Sequence, residues 1–326
     1  MSGDLKKIVS SPILEHLDQF QKFYRDSLNS EIKLINTVIG YISRKKGKQL
    51  RPQLCLLSAS LCGEPNDNTY RSAALIEMIH VATLIHDDVV DEADLRRGWP
   101  SVNRIWKNKL SILVGDFMFS KALSNMIKLK DFDALEILSN TSERLSQGEI
   151  QQIEKAIKKD MTEDIYYEMV SDKTASLFSA SCKLGAISVT EDSDKREAMS
   201  SFGEKFGLVF QIKDDLLDIT GNIEGLGKPA GFDLKKNMLT LPLIYLFENL
   251  DRSDAKTLKR KIGKHVKRSE LKEVKRLIEE NGGIEYAEKQ IDRLSKDAIS
   301  ELDIFPDSKY KQALIAALEF NFNRNG

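Results

Sequence analysis

Two clusters of three aspartates, each inside an apolar segment with helical spacing, constrain this chain more than any other feature. The first segment, Ala74 to Gly98, carries Asp87, Asp88 and Asp91 near its end. Its apolar residues recur every three or four positions, which predicts a buried helix. Asp87 and Asp91 are one helical turn apart and share a face, with Asp88 beside them.

Three carboxylates in a partly buried helix need a nearby cation. At an effective dielectric constant of about 20 and a separation of about 6 Å, each like-charged pair costs roughly 3 kcal/mol. The first segment leaves two alternatives. One is an ion pair with Arg96, Arg97 or a remote lysine, and the other is a hard divalent cation such as Mg²⁺, which oxygen ligands suit. Because the two arginines directly precede Gly98, we expect the helix to end there.

A second segment repeats the arrangement and favours the metal. Residues 207–221 form another apolar helical pattern with Asp214, Asp215 and Asp218, and Gln211 lies one turn earlier on the same face. Charge clusters are usually solvated surface, but two such clusters in apolar helices are hard to explain that way. We therefore expect the two helices to face each other across a cavity, where their carboxylates hold several Mg²⁺ ions that bind a diphosphate.

Composition indicates an all-α protein without a nucleic-acid partner. The 326 residues include only seven prolines, almost no segment alternates apolar and polar residues, and the net charge is −1. A chain with so little net charge is not expected to bind nucleic acid. The three cysteines, Cys55, Cys62 and Cys182, lie in apolar contexts without metal-ligand spacing, so we expect reduced core residues of a cytoplasmic protein.

No linker, repeat or low-complexity segment divides the chain, so residues 1–326 are predicted to form one domain. The N-terminus lacks the basic-then-apolar layout of a signal peptide, and no apolar run approaches about 18 residues, so we expect no transmembrane helix. Besides the two aspartate segments, helices are predicted over residues 12–28, 30–44, 52–63, 108–130, 132–159 and 162–190, with further helices in 240–326.

Basic residues before the first aspartate segment are candidates for binding an anion. Lys48 and Arg51 flank the start of a helix whose first turn holds Pro52, and a helix start suits an anion. Taken alone, the pattern is more typical of a solvated basic loop. His80 lies seven residues before Asp87 on the same stripe of the helix, where a neutral core histidine is the alternative.

Later basic residues give weaker signals. Lys173 stands beside Thr174 amid small residues, a pairing that is common on surfaces. Lys228 lies in Gly221 to Asp233, the most glycine-rich part of the chain, which is typical of a mobile flap that can bring a cation onto a phosphate. Asp116 is a lone carboxylate in an apolar helix and is expected to be buried and structural.

The motifs resemble those of the trans-isoprenyl (polyprenyl) diphosphate synthases. HDDVVDEADLRRG matches that family's first aspartate-rich motif and FQIKDDLLDITG matches its second. The resemblance runs from GKQLRP at Gly47 to PDSKYKQALIAALEF near the C-terminus, and it is closest to bacterial enzymes of the octaprenyl diphosphate synthase type. It implies a single large helical bundle around a central cavity, the isoprenoid synthase fold, in a cytoplasmic homodimer.

The resemblance also implies an activity and a set of site residues. Isopentenyl diphosphate would be condensed with an allylic diphosphate primer after Mg²⁺-dependent ionisation of the primer. Asp87, Asp91 and Asp214 would hold three Mg²⁺ ions per active site and, with Lys173, carry the catalysis; Asp88, Asp215 and Asp218 would orient them. The implied ligands of isopentenyl diphosphate are Lys48, Arg51, His80 and Arg97. The implied ligands of the allylic diphosphate are Arg96, Lys173, Thr174, Gln211 and Lys228.

Three positions depart from the family pattern. Lys46 stands where the family has glycine, Gln49 where it has arginine, and Met238 where it has a further lysine. The first two changes alter the loop before Arg51. Neighbouring Lys235 and Lys236 are the candidates to replace the missing lysine at Met238.

The residues before the first motif bear on product length. In the family, bulky aromatics four and five residues before this motif stop chain growth in short-chain enzymes, whereas this chain has Thr83 and Ala82 there. We therefore expect a long-chain all-trans product fit for a quinone side chain, released with transient membrane contact. A farnesyl or geranylgeranyl diphosphate synthase and a non-catalytic subunit of a heteromeric synthase are the alternatives. The expected floor of the channel comes from Ile76, Met78, Phe119, Leu123 and Met126.

Overall fold

Helices dominate the structure, a computed structural model that describes residues 7–44, 47–221, 234, 236–262 and 268–322. A 3₁₀ turn, Ser11–Ile13, precedes the first helix. The helices are α1 (Leu14–Ser27), α2 (Lys33–Arg44), α3 (Leu50–Cys62), α4 (Asp67–Val90), α5 (Val102–Leu129), α6 (Phe132–Lys158), α7 (Glu163–Val170), α8 (Ser176–Ile187), α9 (Ser193–Thr220), α10 (Leu241–Asn249), α11 (Arg252–Lys261), α12 (Arg268–Glu280), α13 (Gly283–Ser300) and α14 (Lys309–Phe322). Within the described residues, the strands are β1 (Leu95–Arg96) and β2 (Trp99–Pro100) alone, so the all-α prediction is confirmed.

The chain divides into two compact units, each built from three separate segments. The first unit comprises residues 1–142, 177–203 and 302–317, and the second comprises 143–176, 204–301 and 318–326. Four of the five unit boundaries therefore fall inside helices, namely α6, α8, α9 and α14. That residues 1–326 form one domain stays a prediction.

Helix α4 is the central helix of the first unit. Its start is fixed by Asn66, whose side chain accepts hydrogen bonds from the backbone of Asn68 and Thr69, while the Thr69 hydroxyl accepts one from the Asn66 backbone. Buried residues occur on every face, and α1, α3 and α5 pack around them. A helix that is apolar all round has no side suited to water, which explains why the first aspartate segment is internal.

The end of α4 differs from the prediction. The helix ends at Val90 rather than at Gly98, and β1 and β2 form a short antiparallel hairpin that pairs Arg96 with Trp99. Arg97 (φ 53°) and Gly98 (φ 75°) are its two turn residues. Positive φ at both positions is typical of a type I′ turn, whose twist matches that of the strands. An arginine before a glycine therefore marks a hairpin here, not a helix end.

Helix α5 confirms the predicted helix at 108–130. The backbone of Lys107 is not helical (φ 68°), so it forms a kink between the short helical stretch at 102–106 and the longer one that follows. By length and composition alone this one helix among the described residues could cross a membrane, and 39% of its apolar window is buried. One such helix is weak evidence of a membrane span, since the core helix of a soluble protein meets the same criterion, so the expectation of no transmembrane helix stays a prediction.

The core of the second unit forms around α10, α12 and α13, with α7 against α10. The rings of Tyr245 and Tyr286 stack with centroids 4.3 Å apart. Gly283 approaches α10 so closely that an added Cβ would lie 2.6 Å from the backbone oxygen of Pro242. In the first unit, Cys55 and Cys182 are buried and Cys62 is half-buried, as expected for core cysteines.

Candidate active site

The first aspartate motif occupies the last turn of α4, where its three carboxylates have two different environments. Asp87 and Asp91 are half-buried, whereas Asp88 is only 2% exposed. Arg96 donates from Nε to Oδ1 of Asp88 at 2.7 Å. Of the two alternatives raised by the sequence, the ion pair is present at Asp88. The metal alternative stays a prediction for Asp87 and Asp91, which are half-buried one turn apart on a single face.

The hairpin that carries the two arginines is held by side chains from its own flanks. Asn103 donates from Nδ2 to the backbone oxygens of Asp88 and Ala93, both at 3.2 Å. Ser101 donates from Oγ to the Ala93 oxygen at 2.6 Å, and the Tyr41 hydroxyl donates to the Pro100 oxygen at 2.6 Å. The position of Arg96 relative to the motif is therefore fixed by hydrogen bonds at both ends of the hairpin.

A second set of predicted residues meets beside α4 in the first unit. Arg51 places Nη1 3.2 Å from Nε2 of His80, and its guanidinium lies 4.1 Å from the ring centroid of Phe178. Gly47 lies so close to the Arg97 guanidinium that an added Cβ would collide with it. Lys48 is exposed in the same loop, just before α3. The structure thus brings the predicted isopentenyl diphosphate ligands together.

The electrostatics around Arg51, His80 and Arg97 favour the binding of an anion. Burial lowers the pKa of His80 well below its ordinary value, and Arg51, Arg97 and Arg96 lower it further. The imidazole is therefore neutral and can donate a hydrogen bond without adding charge. Partial burial lowers the pKa of Arg97, Glu77 opposes that shift, and Arg96 adds to it. A bound anion would stabilise the charged form of Arg97, whose pKa burial and Arg96 lower.

The second aspartate motif repeats the division seen in the first. Asp214 and Asp218 are half-buried on α9, whereas Asp215 is only 5% exposed. Asp215 accepts hydrogen bonds from the Tyr166 hydroxyl at 2.6 Å and from Nε2 of Gln211 at 2.8 Å. In each motif the middle carboxylate is therefore bonded to protein, which supports the predicted orienting role of Asp88 and Asp215.

The pKa of Asp215 follows from that position. Burial, and to a lesser extent the neighbouring Asp214 and Asp218, raise the pKa of Asp215 to about 7, although the hydrogen bonds from Tyr166 and Gln211 act in the opposite direction. A carboxylate with these properties needs a fixed environment to stay ionised at neutral pH. Tyr166 and Gln211 supply that environment from α7 and from the preceding turn of α9.

Lys173 and Thr174 lie in a π-helical turn, Ser171–Ala175, inserted between α7 and α8. The Thr174 hydroxyl donates to Oε1 of Gln211 at 2.9 Å, and so joins the chain of hydrogen bonds that reaches Asp215. Lys173 pairs with Glu149 and donates to Oε1 of Gln152 at 3.1 Å, both on α6. Single π-helical turns within α-helices are frequent at functional sites.

Gly148 allows α6 to approach this turn. A Cβ added at Gly148 would lie 2.6 Å from the backbone nitrogen of Lys173 and 3.0 Å from its Cα. Backbone atoms cannot move aside as a flexible side chain can, so any larger residue must displace the turn. The sequence offered one signal of this contact, a glycine inside an otherwise polar helical pattern.

Gly148→Ala is expected to displace Lys173 and Thr174 and to weaken binding of their ligand by about tenfold, equivalent to ~1.4 kcal/mol. Calorimetric titration with the proposed allylic substrate measures the effect. Gly40 in α2 is the matched control, because an added Cβ there meets no atom within 4 Å. Gly40→Ala should keep affinity and gain up to about 1 kcal/mol of stability from helix propensity. Unchanged affinity in Gly148→Ala would show that the turn tolerates displacement.

The structure describes only some of the predicted positions that follow the second aspartate motif. Lys228 and Lys235 lie outside the described residues, while Lys236 and Met238 are half-buried.

Asp116 was predicted to be buried, and this was wrong. Its carboxylate is 58% exposed and lies 3.3 Å from Nε2 of His86. The apolar residues around it in sequence occupy several faces of α5, and Asp116 lies on the outer one.

Sequence reasoning missed side chains in both units: Tyr41, Ser101, Asn103 and Phe178 in the first, and a larger group in the second. All of them hold the predicted residues in place rather than carrying a recognisable motif, and those of the second unit are Arg144, Glu149, Gln152, Tyr166 and Glu204.

The donor set suits Mg²⁺ bound together with a substrate. Across the described ranges, no three His, Cys, Asp or Glu side chains form a group that could hold a metal by themselves. Mg²⁺ seldom uses such all-protein cages; it keeps several waters and is held by one or two carboxylates plus substrate phosphates. The half-buried pair Asp87 and Asp91, one turn apart, fits that mode of binding.

Comparison with known proteins identifies the family. The model of the polyprenyl synthetase family matches residues 32–280, well over half of the chain. The chain belongs to the polyprenyl synthetase family. An all-trans-nonaprenyl-diphosphate synthase (geranyl-diphosphate specific) of Rhodobacter capsulatus is 36% identical over 322 residues, covering 97% of each chain. The octaprenyl diphosphate synthase of Escherichia coli is 33% identical over 300 residues, covering 92% of this chain and 93% of that one.

A solved structure is similar to this chain over nearly its whole length. A polyprenyl synthase from Caulobacter crescentus CB15, complexed with calcium and isoprenyl diphosphate, superposes with a TM-score of 0.92 at 32% identity and covers 98% of each chain. The predicted isoprenoid synthase fold and the predicted class of enzyme, a prenyltransferase, are confirmed.

Proposed function

We propose that the chain condenses isopentenyl diphosphate with an allylic diphosphate to give a long-chain all-trans polyprenyl diphosphate, fit for a quinone side chain. The observation that carries the proposal is the shared arrangement of the two aspartate motifs. In each, the middle carboxylate is buried and bonded to protein while its two neighbours are half-buried. Relatives named as nonaprenyl and octaprenyl diphosphate synthases support the long product.

In the proposed reaction, Asp87, Asp91 and Asp214 would hold Mg²⁺, with three ions per site. Bound Mg²⁺ would neutralise the diphosphate and so make it a better leaving group. Asp88 and Asp215 keep the two motifs in position through their bonds to Arg96 and to Tyr166 and Gln211. The neighbour bound to calcium and isoprenyl diphosphate supports a divalent ion at such a site.

The allylic diphosphate is proposed to bind Arg96, Lys173, Thr174, Gln211 and Lys228. Its C–O bond breaks, and diphosphate leaves with the electron pair. Oriented cations stabilise the charge that develops on the leaving group. Lys173 is paired with Glu149 and Gln152 in this structure, so it is held near Thr174 rather than extended into solvent. A preorganised cation costs less to position during the reaction.

Isopentenyl diphosphate is proposed to bind the basic set of Lys48, Arg51, His80 and Arg97. This set fixes the second substrate while its double bond attacks the allylic cation to form the new C–C bond. The proton that is then lost passes to the released diphosphate, so no protein nucleophile is needed. Neutral His80 suits this set, because it donates a hydrogen bond without repelling Arg51.

Radiolabelled isopentenyl diphosphate tests the proposal. The chain is incubated with geranyl, farnesyl or geranylgeranyl diphosphate, with Mg²⁺ or with a chelator, and the products are separated by chromatography. We expect Mg²⁺-dependent products longer than geranylgeranyl diphosphate. Products that stop at farnesyl or geranylgeranyl diphosphate would identify a short-chain synthase instead. No product from any primer would favour the non-catalytic subunit, although such subunits usually lose aspartates and this chain keeps all six.

Arg97→Ala should raise the KM for isopentenyl diphosphate by about tenfold or more, the loss of one charge-assisted contact of ~1.4 kcal/mol. Arg96→Ala should instead raise the KM for the allylic primer and lower Tm, because the buried Asp88 loses its partner. Arg104→Ala is the control, since its pair with Asp94 is exposed. Equal changes for both substrates in both variants would refute the division.

A homodimer is part of the proposal. The outer face of α5 carries Ile112, Leu123 and Ile127, which are 43%, 46% and 70% exposed. Spacings of eleven and four residues place them on one side of the helix, an apolar stripe that a second copy of the chain would cover. A cytoplasmic location and transient membrane contact during product release remain predictions.

Leu123→Asp with Ile127→Asp should convert the dimer to a monomer, because two buried carboxylates would face each other across a symmetric interface. Analytical ultracentrifugation measures the mass in solution. Ile304→Asp is the control, being 54% exposed and distant in sequence from α5. A wild-type chain that sediments as a monomer would rule the dimer out.

A further inference from the structure

Arg144 on α6 is the centre of a network that the proposed reaction does not use. Its Nε donates to Oδ1 of Asp172 at 2.6 Å, and its Nη2 donates to Oγ of Ser171 at 2.7 Å. The same Nη2 donates to Oε1 of Glu204 on α9 at 3.1 Å, and the Ser171 hydroxyl donates to Glu204 as well. One guanidinium therefore joins α6, α9 and the first two residues of the π-helical turn.

The network is partly buried and carries strong hydrogen bonds. The exposed fractions of the Arg144, Asp172 and Glu204 side chains are 36%, 21% and 26%. Burial alone would lower the pKa of Arg144, but Asp172 and Glu204 outweigh burial and raise it. Charge-assisted bonds in a planar fork fix direction as well as distance. Arg144 is therefore a rigid connection rather than a mobile surface cation.

The turn held by Arg144 needs such support. Its backbone bond runs from the Ser176 N–H to the Ser171 oxygen, five residues apart, where an α-helix would bond residues four apart. The extra residue sets the directions of Lys173 and Thr174, which contact α6 and α9 respectively. Isolated π-helical turns are rare and are kept where surrounding structure holds them. Gly148 supports the middle of the turn, and Arg144 fixes its start.

We propose that Arg144, through Asp172, Ser171 and Glu204, is a positioning residue for the allylic diphosphate, holding the π-helical turn so that Lys173 and Thr174 point to one ligand. The inference rests on the proposed function for the identity of that ligand. Arg144 itself does not touch substrate. Its loss acts in two ways: the turn can relax, and the carboxylates of Asp172 and Glu204 lose their cationic partner, so that Asp172, next to Lys173 in the chain, competes with the diphosphate for that lysine.

The test compares the two substrates. Arg144→Met keeps the length of the side chain but removes its charge. Arg144→Lys keeps the charge but lacks the planar guanidinium that bonds several partners at once. Binding of farnesyl diphosphate with Mg²⁺ is measured by calorimetry without isopentenyl diphosphate, and KM is measured for both substrates. Arg144→Met should weaken farnesyl diphosphate binding by about tenfold or more, while KM for isopentenyl diphosphate changes less than about twofold. Arg144→Lys should restore only part of the affinity, because one ammonium cannot bond three partners in a plane.

Two further variants separate positioning from folding. Asp172→Asn keeps the Arg144–Glu204 pair and should give a smaller loss in the same direction. Arg276→Met removes an exposed arginine from its i,i+4 pair with Glu280 in α12 and should change neither affinity nor KM. If Arg144→Met lowers Tm yet leaves farnesyl diphosphate affinity unchanged, or shifts both KM values equally, Arg144 is merely structural and the inference fails.

The outcomes also separate this inference from the proposed function. A wild-type chain that turns over both substrates, with an Arg144→Met variant that binds farnesyl diphosphate normally, overturns the inference alone. A wild-type chain that binds farnesyl diphosphate but forms no product overturns the proposed reaction, while loss of binding in Arg144→Met still supports positioning. A wild-type chain that does not bind farnesyl diphosphate overturns both.

Discussion

Asp87→Ala or Asp214→Ala is expected to reduce product formation by three or more orders of magnitude, equivalent to more than ~4 kcal/mol of transition-state stabilisation. Each change removes a proposed Mg²⁺ ligand. Each also removes one charge from a cluster of like charges, so Tm without metal should hold or rise slightly. Radiolabel incorporation and thermal unfolding measure the two effects separately.

The control for these variants is Asp133→Ala on α6, whose carboxylate is 71% exposed and far in sequence from both motifs. It should keep activity near the wild-type level. Titration with Mg²⁺ adds a second readout, since a weakened site should need more metal for half-maximal activity. Activity within a few-fold of wild type in Asp87→Ala would show that the metal is held elsewhere.

Ala82→Phe together with Thr83→Phe is expected to shorten the product to farnesyl or geranylgeranyl length. The growing tail is proposed to run from Asp87 along α4 towards its start, and both positions lie one turn before the motif. Ala82 is buried and Thr83 half-buried, its hydroxyl donating to the His80 oxygen. Two rings there would occupy the space for the tail. Chromatography of labelled products gives the length distribution.

Overpacking at Ala82 limits the double variant, because adding bulk to a full core costs about 1–3 kcal/mol. The single variant Thr83→Phe avoids overpacking at Ala82, and we expect it to shorten the product only in part. Thr257→Phe, on the exposed side of α11, should leave product length unchanged. A double variant that folds and still makes the wild-type product would place the channel elsewhere. Of the predicted floor residues, Leu123 is unsuited, since it lies on the outer face of α5.

The aspartate helices were predictable because their signal is local. Apolar spacing fixes a helix, and the helix then fixes which carboxylates share a face. The roles of the middle aspartates required the structure for a different reason. Asp88 pairs with an arginine eight residues later, across a hairpin, and Asp215 bonds a tyrosine 49 residues earlier. The sequence offered an arginine as a candidate partner for Asp88 but none for Asp215.

The π-helical turn shows where sequence reasoning ends. Residues 162–190 were predicted as one helix, and the local pattern is indeed helical through Val170 and again from Ser176. Arg144 and Gly148, more than 20 residues earlier, contact the irregular turn between them, and no local propensity encodes contacts over that distance. Contacts outside the helix also explain why the predicted helix end at Gly98 was wrong. Hydrogen bonds from Ser101 and Asn103 favour a hairpin there over a longer helix.

The interleaved segments of the two units have a consequence for how such a chain can be cut or recombined. Residues 1–142 lack two segments of the first unit, which lie at 177–203 and 302–317. A contiguous fragment that contains the whole first unit therefore also contains most of the second, whereas residues 143–326, which contain the whole second unit, include only two segments of the first. Exchanging the second unit of this protein for that of a relative would require crossovers inside α6, α8, α9 and α14, so chimaeras should fold more readily when paired crossovers are placed in the loops at 159–162 and 188–192 instead.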